Sequence, residues 1–321
     1  MHITDERIQS LREKMKEYRM DAYLVPTADF HESEYVGEYF KCRKYLTGFT
    51  GSAGTAVITM NEACLWVDGR YFVQAAAELK GSCVKMMKMG QEGVPSVQEY
   101  LEENVPEGGC LGFDGRVVNS LTGLSLEKNL REKSARIACT EDLVGMIWQE
   151  RPELSSEPAW ILEEKYAGKP AADKIADVRA AMKKVHATVH VLTALDDIAW
   201  LLNIRGNDIS YNPVVLSYVM ITMDEVRLFI NEAVLNDEIC GYLESMGVVI
   251  LPYNDIYKEA GALQGEKVLF EREKGNYALY QAMAAQNEII DRMNPTSEAK
   301  AKRIRWKWRM RRRPILRTAL Q

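Results

Sequence analysis

Apolar positions along the chain change period in the same order twice. Ile8, Leu11, Met15 and Tyr18 stand three and four apart among charged residues, which predicts an amphipathic helix with one buried stripe. A short strand over 21–26 follows, and then an acidic, aromatic helix candidate over 29–39. Gly48, Gly51 and Gly54 suit turns with positive φ or the close approach of another segment. The apolar runs 55–59 and 63–67, parted by Asn61 and Glu62, predict a hairpin, and Asp68-Gly69 closes it before an alanine-rich helix over 70–79. A strand over 84–89, a helix over 94–104, a strand over 110–114 and a polar helical segment complete the first half.

The second half repeats this order. Ile175, Val178, Met182 and Val185 mark a helix, 188–193 a strand and 194–202 a helix. Strands over 214–222 and 225–231, turned at Met223-Asp224, match the first hairpin. A strand over 248–252, a helix over 254–263, a strand over 267–270 and a polar helical segment follow. Helices interleaved with short strands predict an α/β fold, two tandem domains that each hold a mixed β-sheet flanked by helices. Pro152, Pro158 and Pro170 interrupt any regular period over 151–170, which places the junction there. The expected domains are 1–155 and 156–297, with a basic, disordered tail over 298–321.

Composition narrows the class. The chain has 321 residues, 47% hydrophobic and 27% charged, as expected of a soluble globular protein and not of a fibre or a disordered chain. Its six cysteines form no C-x-x-C pair, so neither a zinc knuckle nor a disulfide framework is indicated. A polar, charged start and the lack of an apolar run near the ~20 residues of a membrane span predict a cytoplasmic protein without a membrane partner. The net charge of −5 hides an asymmetry: 300–321 carries ten Lys or Arg and no acid, leaving −5 − 10 = −15 on the rest.

Two stretches carry a family likeness. The first runs Tyr-Leu-Thr-Gly-Phe-Thr-Gly-Ser-Ala-Gly-Thr-Ala-Val-Ile-Thr from Tyr45 and on through Leu-Trp-Val-Asp-Gly-Arg-Tyr-Phe from Leu65, approached by Ser33-Glu-Tyr and Lys41-Cys-Arg. The second is Thr-Ala-Leu-Asp-Asp-Ile-Ala-Trp-Leu-Leu-Asn-Ile-Arg-Gly-Asn-Asp from Thr193, then Tyr-Asn-Pro-Val from Tyr211 and Ser217-Tyr218. Both resemble the amino-terminal domains of the aminopeptidase P branch of the creatinase and prolidase-like metallopeptidases, in its three-domain, cytosolic type. Asn294-Pro-Thr-Ser resembles the junction before that family's third domain, so the likeness spans about 1–297.

The resemblance implies two creatinase-like amino-terminal domains of one fold ahead of a catalytic domain. It implies an Xaa-Pro aminopeptidase parent, which releases the first residue from peptides with proline second. Two divalent ions, usually manganese, would be held in the third domain and deprotonate a bridging water. This chain is expected to contribute no catalytic or metal residue, to bind no cofactor itself, to serve homodimerisation and active-site access, and to be inactive alone. Short proline-containing peptides are partners of the parent only. A peptide-facing rim is expected at Tyr35, Arg43, Arg205, Asn207 and Asp208.

Ordinary chemistry explains the other conspicuous residues. The glycine loop opens a strand where a dinucleotide fingerprint would open a helix, so the turn reading is taken. Asp68 reads as a turn residue, and Asp196-Asp197 as a helix start complementing its dipole. His2, His31, His186 and His190 sit in no H-E-x-x-H frame, and the helix should end between His186 and His190.

The tail admits a separate reading. Residues 302–313 place Trp306 and Trp308 among cations, which would suit nucleic acid or an anionic membrane. Codons compatible with 305–318, read two bases along, encode Lys-Met-Glu-Met-Glu-Asn-Glu-Lys-Lys-Ala-His-Ile-Lys-Asp, which resembles the family's first catalytic-domain helix. The expectation is therefore a frameshift near Ser297 that removes the metallopeptidase domain, with no nucleic-acid partner. A stand-alone peptide-binding or regulatory module is the alternative function, and nucleic-acid binding through the tail a further one.

Overall fold

The computed structural model describes residues 2–302, so residues 303–321 of the basic tail lie outside the described residues. The chain divides into two compact units. The first runs to Leu154 and also takes in Asn276–Gln281, while the second holds Ser155–Gly275 and the chain from Ala282 on.

In the first unit the elements run α1 (Ile3–Glu17), β1 (Ala22–Pro26), α2 (Cys42–Thr47), β2 (Thr55–Thr59), β3 (Ala63–Val67), α3 (Phe72–Glu78), β4 (Val84–Lys88), α4 (Val97–Asn104), β5 (Cys110–Gly112), α5 (Ser120–Arg131), β6 (Arg136–Ala138) and α6 (Leu143–Ile147). They form a six-stranded sheet in the order β4-β3-β2-β1-β5-β6. β2 pairs antiparallel with β1 and β3, and the outer pairs are parallel. Alternation along the strands divides the core. Tyr23, Val25, Ile58 and Leu65 pack under α1, α2 and α6 with Ile8, Leu11, Leu46 and Leu143. Leu24, Val57, Trp66 and Leu111 face the other way, onto Tyr100 and Leu101 of α4 and Leu126 and Leu130 of α5.

The second unit holds β7 (Trp160–Ile161), α7 (Glu164–Ala167), α8 (Ala171–Lys184), β8 (Val189–Leu192), α9 (Leu195–Leu202), β9 (Ile204–Arg205), β10 (Ser217–Thr222), β11 (Val226–Ile230), α10 (Asp237–Glu244), β12 (Val248–Pro252), α11 (Asp255–Gly261), β13 (Lys267–Leu269), α12 (Tyr277–Ala284), β14 (Glu288–Ile290) and α13 (Pro295–Ala301), with the first part of α12 assigned to the first unit. Its sheet, β12-β11-β10-β8-β13-β14, repeats the topology of the first. One face is sealed by Ile175, Val178 and Met182 of α8, Ile198 and Leu201 of α9, and Ile239 and Leu243 of α10. Among the described residues no helix is long and apolar enough to cross a membrane.

Three expectations are corrected locally. Residues 29–39 form no α-helix, and only Glu38–Phe40 makes a 3₁₀ turn. Asp29 instead folds its side chain back, accepting from the backbone N–H of His31 and of Ser33 at 2.9 and 3.0 Å, and these local bonds compete with a helical ladder. Phe30 and Phe40, edge to face at 4.9 Å, pin both ends of the segment inside. The helix expected from 70 starts at Phe72, because Asp68 caps a 3₁₀ turn over Gly69–Tyr71. The tail boundary at 298 falls inside α13, whose Lys300 forms ion pairs with Asp196 and, at 2.6 Å, with Asp197.

Candidate functional site

The glycine stretch lies where α2 ends. Gly48 closes that helix at φ +75°, a left-handed conformation that suits glycine. A Cβ on Gly51 would lie 2.2 Å from the Phe49 ring and 2.8 Å from the Tyr71 ring, so only glycine fits there. Arg43 holds the loop from within. Its side chain is 3% exposed and donates to Thr27 Oγ1, to the Phe49 carbonyl and to the Gly51 carbonyl. Burial lowers the Arg43 pKa to about 10, so the guanidinium stays charged at neutral pH. Arg43 is therefore spent on its own loop and offers no rim to a peptide, whereas Tyr35 is 46% exposed.

Around this loop the polar groups are also paired. Thr50 donates to Glu78 through its N–H and its hydroxyl, at 2.8 and 2.6 Å, and Ser52 and Tyr71 share a hydrogen bond of 2.6 Å. Burial raises the Glu78 pKa, but the bonds from Thr50 and Gln74 outweigh it and leave the carboxyl below its ordinary range. Asp68, gripped by the Arg70 guanidinium and N–H, is held at about 2. It is a turn anchor. The Cys42 thiol is pushed up to about 12 by burial, which leaves it protonated and unreactive at neutral pH.

A cleft of about 300 Å³ opens in this unit at the carboxyl end of β1. It is lined by Pro26, Thr27 and Ala28 after β1, by Val97 and Gln98 of α4, by Asn119, which caps α5, with Thr122 of α5, and by Glu32. None of these residues stands out in the sequence, because they come from loops and helix starts far apart along the chain. The glycine at 54, beside β2, was the one local signal of a close backbone approach there.

In the second unit the Asp-Asp pair behaves as a structural anchor. Asp197 is 1% exposed and accepts from Ser297 Oγ at 2.9 Å, in addition to its pair with Lys300. Lys174, 1% exposed within the stripe of α8, donates to the Trp200 carbonyl and to Asn203 Oδ1, both at 2.6 Å. Asn203 takes the left-handed conformation that ends α9. Arg205 donates to the Ala199 and Ile204 carbonyls, and Asp208, 8% exposed, accepts from the Leu216 N–H at 2.8 Å. Burial raises the Asp208 pKa, with bonds from Ser155 and Leu216 opposing it. Of the three expected rim residues here, Asn207 is exposed, Arg205 is half-buried and Asp208 is buried.

Among the described residues no three His, Cys, Asp or Glu side chains come together as ion ligands. α8 ends at Lys184, so His186 and His190 are not stacked on one helix face. His190 is fully buried in β8, where loss of hydration lowers its pKa, and its Nδ1 is 2.9 Å from the Leu269 carbonyl.

Two profiles, each described as Creatinase/Prolidase N-terminal domain, match residues 7–146 and 150–304. A probable Xaa-Pro aminopeptidase P of Sordaria macrospora is 38% identical over 93% of this chain and 50% of its own length. The chain belongs to the family defined by the Creatinase/Prolidase N-terminal domain. Its described residues are the two tandem creatinase-type amino-terminal domains of that family. Xaa-Pro aminopeptidase 1 of Dictyostelium discoideum is 38% identical over 92% of this chain and 48% of its own length. The crystal structure of X-prolyl aminopeptidase from Caenorhabditis elegans, described as a cytosolic enzyme with a di-nuclear active site, superposes with a TM-score of 0.88 at 30% identity, covering 96% of this chain and 53% of that one. The chain spans about half the length of the curated relatives it matches.

Proposed function

We propose that this chain acts as the non-catalytic amino-terminal part of an Xaa-Pro aminopeptidase, in the cytoplasm, where its two domains take part in dimerisation and restrict access to the active site. One observation carries the reading. The two domains match along nearly their whole length, yet three of their buried ionisable groups, Arg43, Lys174 and Asp197, are committed to internal bonds. A two-metal hydrolase needs converging carboxylates and imidazoles that hold its cations ~3.5–4 Å apart. The described residues do not fit that requirement. In this reading the metal pair, manganese in the family, and the recognition of short proline-containing peptides belong to the half of the relatives outside the matched region.

The test is direct. The purified chain, given manganese and a peptide with proline second, should release no amino-terminal residue above the buffer rate, and it should sediment as a homodimer. Turnover that co-purifies with the chain would refute the non-catalytic part. A monomer at micromolar concentration would refute the dimer.

A further inference from the structure

The segment Asn276–Gln281 packs with the first unit, while the chain on both sides of it is counted in the second. Backbone bonds set its register. The Tyr277 N–H donates to the Val118 carbonyl at 2.8 Å and the Ala278 N–H to the Gly115 carbonyl at 2.9 Å, beside an antiparallel bridge between Asn119 and Asn276. Main-chain pairing of this kind is how a folded domain holds an added peptide, with side-chain pockets supplying the choice of sequence.

Two side chains supply that choice here. Tyr277, 2% exposed, lies among Phe113, Leu126 and Leu130, and its ring fills the space where a Cβ on Gly123 would stand. Its hydroxyl donates to Glu127 at 3.1 Å. Asn276 is fully buried and bonded in three directions. Its Oδ1 accepts from the Leu279 N–H and so caps α12, while its Nδ2 donates to the Phe30 carbonyl, both at 2.9 Å. Its own carbonyl accepts from Ser120 Oγ at 3.0 Å. The side-chain amide thus performs two tasks at once. An aspartate would cap the helix equally well but would bring an acceptor, not a donor, to the Phe30 carbonyl.

We infer that this groove of the first unit is a recognition site for a segment beginning Asn-Tyr-Ala, and that its partner is the carboxyl-terminal piece of this same chain. If the chain were cut near residue 152, the two pieces would stay together through this groove, with Asn276 and Tyr277 as the anchors. The inference stands on contacts of the first unit and is independent of the proposed function.

The test uses the full chain with the recognition sequence of a site-specific protease inserted between Pro152 and Glu153, both exposed and outside any helix or strand. After complete cleavage the pieces should sediment as one particle of the parent mass. Mixing cut ¹⁵N-labelled chain with cut unlabelled chain then reads how fast the pieces part, because native mass spectrometry detects the hybrid particles. Asn276→Asp keeps the helix cap, and Gly123→Ala fills the place of the tyrosine ring. Each should speed hybrid formation ~10- to ~100-fold, the range for a buried polar group left unpaired and for an overpacked core position. Spectra of the uncut variants separate loss of docking from loss of fold. The inference is overturned if the cut parent falls into free pieces at micromolar concentration, or if folded Asn276→Asp and Gly123→Ala chains exchange pieces at the parent's rate.

Discussion

Replacing Arg43 with Met tests whether the glycine loop is held from inside. The wild-type guanidinium makes three hydrogen bonds, two of them to backbone carbonyls of the loop. Bonds from a charged donor contribute ~1.5–3 kcal/mol each, so the combined loss of three is on the order of 4.5–9 kcal/mol. Burial opposes this. A pKa held down to about 10 corresponds to a disfavour of roughly 3 kcal/mol for the charged form, which Met does not carry. The net expected destabilisation is ~1.5–6 kcal/mol, or a fall of roughly 4–18 °C in the melting temperature of the first unit.

Calorimetry would read the temperature, and hydrogen exchange at the amides of 49–54 would locate the loosening. The sign of the pH dependence is also fixed. A cation whose folded pKa is lowered binds fewer protons in the folded state only above about 10, so stability would rise with pH there and Arg43 contributes no slope near neutrality. The deficit of Arg43→Met should therefore be constant across near-neutral pH. Melting of that variant within about 1 °C of wild type would refute the clamp, since it implies a net effect well under ~1 kcal/mol.

Gly123 lies inside α5, where alanine ordinarily gains ~1 kcal/mol over glycine, but a Cβ there would sit 2.3 Å from the Tyr277 ring. Gly123→Ala should thus lower the melting temperature of the first unit, and a rise would show that Asn276–Gln281 does not pack there. Asp208 has a raised pKa from burial, so the folded state holds its proton more tightly and stability falls as pH rises from the ordinary carboxylate range through the raised value. Asp208→Asn removes that slope, and urea midpoints across mildly acidic pH should move steadily in the variant's favour as pH increases. A pH-independent difference would count against the burial argument.

Local pattern carried the element order. Strands 55–59, 63–67 and 248–252 appear with the bounds that their short apolar runs predict, because a strand in the body of a sheet is written as consecutive apolar residues bounded by turn residues. The repeated series of periods likewise announced two domains of one topology. Where a side chain competes with the backbone, the pattern misled: the acidic, aromatic run after Asp29 has a helix-like composition, but one carboxylate captures two N–H groups and two phenylalanines hold the segment inward.

Tertiary structure alone decided the rest. Arg43 reads as a solvent-facing cation until the chain returns and lays the Phe49 and Gly51 carbonyls over it, and Lys174 differs from any surface lysine only through Asn203 and Trp200. The cleft at β1 joins residues as distant as Leu24 and Leu126. Sequence fixes periodicity because that is set by neighbours a few positions away. Burial of a charge and the shape of a cavity depend on which remote segments arrive beside it, and that is settled when the sheet closes.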